Sequence, residues 1–83
     1  MSSWDKLLGR ILGMSADVRF AELRRVLEAY GYTMGSHSGG SHVTFRKPGC
    51  APITVPRHDP VKPAYVRMVR DVVMKEQTND PDA

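Results

Sequence analysis

Ser41-His42-Val43-Thr44-Phe45-Arg46 alternates polar and apolar side chains residue by residue. Successive side chains of a strand point to opposite faces of a sheet, so this period of two reads as a half-buried β-strand. Val43 and Phe45 then belong to a core, and His42, Thr44 and Arg46 to an open face. An imidazole and a guanidinium are thereby expected together on one exposed surface.

The flanks of this strand are punctuated by turn residues. Upstream, Ser38-Gly39-Gly40 can reverse the chain, with a first and weaker strand over residues 32–37. Downstream, Lys47-Pro48-Gly49-Cys50 is the next turn and residues 53–55 the third strand. Pro52 and Pro56 bracket that third strand, which suits a short or edge strand because proline cannot donate to a ladder.

Helical spacing holds on both sides of the strands. Phe20, Leu23, Val26, Leu27 and Tyr30 form one stripe of a helix over 20–30, with Arg24, Arg25 and Glu28 opposite and Gly31 as its stop. Trp4, Leu7, Leu8, Ile11 and Leu12 share a face of an earlier helix over 4–12. Ser2 with Asp5 fits a capping box, and Gly13 stands where that helix should end. Pro60 and Pro63 prepare a last helix over 63–75, buried through Tyr65, Val66, Val69, Val72 and Val73. Residues 76–83 are polar and acidic, carry Pro81, and read as a flexible tail. The order helix, helix, strand, strand, strand, helix predicts an α+β fold, a three-stranded antiparallel sheet with helices packed on one face. Residues 1–75 form one domain in this reading, with a core over 18–75 and a helical extension over 1–17 that packs on it or meets a partner.

With 83 residues, the chain builds one thin core, and a shallow surface site is easier to form than a deep one. Cys50 is the single cysteine, so no internal disulfide is available. No apolar run approaches the roughly 20 residues that span a bilayer, and residues 1–6 lack the basic start and apolar stretch of a secretory signal. A cytoplasmic protein without membrane contact is expected. Charge is unevenly spread: residues 46–75 carry seven basic and two acidic side chains, whereas residues 76–83 carry three acidic ones. A basic second half suits a polyanion such as nucleic acid, with an ordinary solvated face as the alternative.

Histidine ordinarily titrates near about 6.5 and exchanges protons at neutral pH. On RNA, an exposed imidazole can take the proton of a ribose 2′-hydroxyl, whose oxygen then attacks the adjacent phosphodiester. Arg46, Lys47 or Arg57 would offset the charge that builds on the phosphate oxygens. The nucleophile belongs to the substrate, so no metal or cofactor is required. Ser41 and His42 are adjacent on a strand and face apart, which excludes a nucleophile–base pair. His37, His42, Cys50 and His58 fit no standard zinc spacing. Gly39-Gly40 is read as a tight turn, with phosphate binding on its N–H groups as the alternative.

Several pieces resemble one family. Residues 20–32, Phe-Ala-Glu-Leu-Arg-Arg-Val-Leu-Glu-Ala-Tyr-Gly-Tyr, resemble the opening helix of HicA-like toxins and the glycine and aromatic residue after it. Gly40-Ser41-His42 followed by Phe45 is similar to the family's glycine-serine-histidine strand. Thr54-Val55-Pro56-Arg57-His58 is similar to its third strand and exit, and Lys62-Pro63 leading to Val66, Arg67, Val69 and Arg70 to its last helix. The resemblance covers about residues 20–73. Many members follow the motif histidine with a second histidine or another polar residue; this chain has Val43. Gly35-Ser36-His37 nearly duplicates the motif, so His37 is an alternative to His42; Val43 and Phe45 continue the strand from His42 and favour it.

The resemblance implies a double-stranded-RNA-binding-like fold and a metal-independent ribonuclease that cleaves messenger RNA and stops translation. His42 would be its catalytic residue. It also implies a HicB-like antitoxin that covers the active face, through which oligomers could form. Gly40, Ser41, Arg46, Lys47, Arg57, His58, Lys62, Arg67 and Arg70 are the candidate RNA contacts, with His58 a candidate acid for the leaving 5′-oxygen. Two other functions fit the residues: a non-catalytic RNA-binding module recognising duplex shape, and an interaction domain pairing an exposed strand with a partner's sheet.

Overall fold

The computed structural model describes residues 2–35 and 41–78. Helices α1 (Ser3–Leu12) and α2 (Phe20–Ala29) precede strands β1 (Thr33–Met34), β2 (His42–Arg46) and β3 (Ile53–Pro56), and α3 (Pro63–Thr78) closes the order. The predicted α+β arrangement, α-α-β-β-β-α, is the observed one. The sheet is antiparallel with the order β1-β2-β3, so β2 is its central strand. Helix α1 begins one residue earlier than expected, α2 ends one residue sooner, and β2 begins at His42 rather than Ser41; three other boundaries differ as well. The first strand keeps only two residues, with part of its expected span outside the described residues. The third extends to Pro56, a position with no need to donate at the strand's end. The last helix continues three residues past Lys75, to Thr78, and Glu76 in that added turn accepts a bond from Lys47 Nζ at 2.8 Å.

The helix ends follow local chemistry. Ser2 Oγ accepts from the Asp5 N–H at 3.1 Å, as the capping pattern requires, and its own hydroxyl lies 3.0 Å from the Asp5 carboxylate. Both α1 and α2 close in the arrangement where the second residue past the cap bonds back to the third residue before it. Gly31 provides the left-handed residue after α2 (φ 94°), and the Tyr32 N–H reaches the Leu27 carbonyl at 3.0 Å. At α1, Gly13 is the cap as expected, but Met14 takes the left-handed conformation (φ 56°) and the Ser15 N–H reaches the Arg10 carbonyl at 2.9 Å. The start of α2 is held from a distance: the Phe20 N–H donates to Asp59 Oδ1 at 2.7 Å, and Glu22 accepts from the Arg19 N–H at 3.0 Å.

A single hydrophobic core lies between the sheet and the helices. Val43, Phe45, Ile53 and Val55 enter it from the sheet, Leu23, Val26 and Leu27 from α2, and Val66, Val69 and Val73 from α3. Each such side chain contributes about 1.5–3 kcal/mol through burial. Phe45 is fully buried with its ring tilted 44° to that of Phe20, centroids 6.1 Å apart. Helix α1 packs on α3 and joins the same core through Leu7 and Ile11. Its C-terminal end is tied to α2 by Arg10, which bonds Glu22 at 2.6 Å and Asp17 at 3.1 Å. Among the described residues, all the helices thus serve the inner face of the sheet, and its outer face stays open.

Candidate functional site

The open face is organised by the register of β2. His42 stands opposite Pro56, Thr44 opposite Thr54 on β3, and Arg46 opposite Thr33 on β1. Along β2 the expected alternation holds: Val43 and Phe45 are buried, His42 and Arg46 exposed, Thr44 half-buried. The Arg57 N–H donates to the Ser41 carbonyl at 2.6 Å, which carries the β2–β3 ladder past His42. The backbone on both sides of His42 is therefore fixed while its imidazole faces outward. Thr44 Oγ1 and Thr54 Oγ1 lie 3.1 Å apart in the same layer.

The cations of the second half take different positions. Arg46 shares its face but stands four residues along the strand, about 13 Å away at the usual rise. Lys47 folds the other way. Its ammonium bonds Glu76 at 2.8 Å and lies 5.8 Å from the centre of the Tyr32 ring, and its stem runs close over Gly31. The Arg57 guanidinium sits 5.5 Å over the ring of Phe20, though the side chain is exposed. Lys62 and Arg67 are exposed, and Arg70 half-buried, but they lead into or lie on α3, the layer beneath the sheet. Arg70 has a buried Nε that finds no hydrogen-bond partner among the described residues, and its terminal nitrogen stands 3.7 Å from the Asp71 carboxylate.

His58 is exposed, and its Nδ1 lies 3.0 Å from the Pro60 carbonyl. A carbonyl only accepts, so that bond puts the proton on Nδ1 and leaves Nε2 as the acceptor of the neutral ring. Ser41 is exposed beside His42. Gly40 and His37 lie outside the described residues. Among the described residues no three His, Cys, Asp or Glu side chains come together to hold a metal ion, and no helix is long and apolar enough to cross a membrane. A cleft of about 400 Å³ opens between the β2–β3 connection and α3, lined among others by Cys50, Pro52, Met68 and Val72; His42 is not part of it. Burial and the neighbouring Cys50 thiol hold the Tyr32 hydroxyl above the usual phenol range there.

The Thr44–Thr54 contact was not read from the sequence, although its signal is present. Matching the inward residues of the two strands, Phe45 with Ile53 and Val43 with Val55, forces the two threonines opposite each other.

A family model described as the HicA toxin of bacterial toxin–antitoxin systems matches residues 20–77. Comparison with curated proteins and with solved structures returns no significant match. The matched span takes in α2, the whole sheet and nearly all of α3, and leaves α1 outside. With its central strand, open face and helical layer all inside that span, the chain belongs to the HicA family, the toxins of bacterial toxin–antitoxin systems, and so has an antitoxin as its partner.

Proposed function

We propose that this toxin is an endoribonuclease that cleaves messenger RNA, with His42 as its proton-transferring group. The observation that supports this reading is the imidazole of His42 standing exposed on the open sheet face, on a strand whose other side is locked in the core. His42 takes the proton of a ribose 2′-hydroxyl, and the freed oxygen attacks the adjacent phosphorus. The bond to the leaving 5′-oxygen breaks, that oxygen takes up a proton, and a 2′,3′-cyclic phosphate remains. The substrate supplies the nucleophile, so the step needs no metal. DNA, without the 2′-hydroxyl, is spared. Arg46 holds a more distant part of the RNA rather than the scissile phosphate, because it stands about 13 Å along the strand. A HicB-like antitoxin then acts by covering the open face.

The test compares the protein and its His42→Ala variant on a long single-stranded RNA and a matched DNA, in excess chelator. Cleavage of RNA alone, by the unaltered protein alone, with cyclic phosphate ends, is the expected result. Intact RNA bound equally by both proteins overturns it in favour of a non-catalytic RNA-binding module.

A further inference from the structure

We propose that the Thr44–Thr54 hydroxyl pair is a phosphate-binding contact that seats the RNA backbone beside the 2′-hydroxyl from which His42 takes the proton; this rests on the ribonuclease reading above. The two side chains face each other across β2 and β3 with their oxygens 3.1 Å apart. Thr44 lies one alternation step from His42, about 6.6 Å along β2, and one step short of Arg46, with Thr54 opposite it on β3. A polynucleotide strand running from the imidazole to the Arg46 guanidinium passes directly over them.

The hydrogen-bond inventory leaves this pair with something to give. Each hydroxyl carries one proton and two acceptor sites. The mutual bond uses one proton and leaves the other uncommitted, on the hydroxyl that is already accepting. A hydroxyl that accepts one bond donates a stronger second one, which suits an anionic oxygen. The nearby cations are engaged or further off: Lys47 is held by Glu76, Arg57 sits over the Phe20 ring, and Arg46 is a further step away. A neutral hydroxyl pair is thus the polar group nearest the imidazole along β2. Cross-strand threonine pairs also steady sheets, so the test separates binding from folding.

Thr44→Val with Thr54→Val keeps the branched shape that strands favour while deleting both hydroxyls. The doubly substituted chain is compared with the doubly serine-substituted one, each in the His42→Ala background, for binding to an unstructured RNA and to the DNA of the same sequence. Affinity for both nucleic acids falls about tenfold with valine and returns with serine, as loss of a hydrogen bond to a charged group predicts. With His42 intact, KM for RNA rises by the same factor and kcat stays within about twofold. Unchanged affinity for both overturns the proposal. A loss confined to RNA also overturns it, since it assigns the pair to the 2′-hydroxyl, and so does a loss that serine fails to restore. If the unaltered protein cleaves no RNA, the ribonuclease reading fails, and the binding titrations still decide whether the pair holds phosphate.

Discussion

Lys47 reaches across the end of the helical layer to Glu76, ammonium to carboxylate 2.8 Å, with Gly31 beneath its stem and the Tyr32 ring 5.8 Å from its charge. A lysine that directly follows the functional strand is therefore part of the joint between β2, the end of α2 and the last turn of α3. A β-carbon at position 31 would come within 3.3 Å of this stem, in a backbone conformation (φ 94°) that already favours glycine.

Lys47→Met is expected to act on stability and not on RNA. Methionine keeps most of the stem packing but loses the ion pair and the ring contact, about 1 kcal/mol together. In a domain of this size that lowers Tm by about 4–8 °C. Thermal melting reads the loss. RNA affinity and the slope of its logarithm against salt stay as they were; a slope reduced by about one would return Lys47 to the phosphate contacts.

Arg46 and Arg57 divide in the same way. Arg46→Ala removes an exposed cation from the open face, so RNA affinity falls and the salt slope drops by about one, with little change in Tm. Arg57→Ala removes the guanidinium over Phe20 and costs about 0.5–1 kcal/mol of stability. Salt titrations and melts of both variants check the division. Equal salt slopes for the two variants would contradict it.

The contrast marks where sequence reading succeeds. The alternation from His42 to Arg46, the stripes of α2 and α3 and the glycine after α2 are local patterns, and local patterns fix which face a side chain takes. Lys47, Arg57 and Asp59 were decided otherwise. Each is bound to a residue far along the chain, Glu76, Phe20 and the Phe20 N–H respectively. A sum of charge over residues 46–75 cannot tell a cation on the open face from one folded beneath it. Helix α3 runs past Lys75 for a similar reason: residues 76–78 carry no apolar stripe of their own, and Glu76 is drawn in by Lys47.

Asp59 is the clearest tertiary cap. Its carboxylate accepts the first N–H of α2 from 39 residues downstream, at 2.7 Å. Asp59→Ala is expected to cost about 1 kcal/mol, the usual value of a side-chain cap, and Asp59→Asn less, because the amide oxygen still accepts. Denaturant unfolding of the two variants gives the order. If asparagine is as damaging as alanine, the contribution is charge at the helix N-terminus and not the bond.

Arg10 bonds Glu22 at 2.6 Å and Asp17 at 3.1 Å, and Ser15 bonds Asp17 as well. The Arg10 bond holds the Glu22 carboxyl below the usual carboxylate range, against the opposing effect of burial. The Ser15 hydroxyl, with Arg10 second, lowers Asp17 in the same direction. A carboxyl that is more acidic in the folded chain binds more protons in the unfolded one, so stability rises with pH through this range. The Arg10 clasp is thus fully in force above the ordinary carboxylate range and is lost as pH falls through the lowered folded values. Glu22→Gln removes the part of this dependence that Glu22 carries. Its Tm should lie about 5 °C below that of the unaltered protein at neutral pH, and the gap should close as the solution is acidified. A gap that persists undiminished in acid would show that Glu22 works through packing, and that its charge contributes nothing to joining α1 to α2.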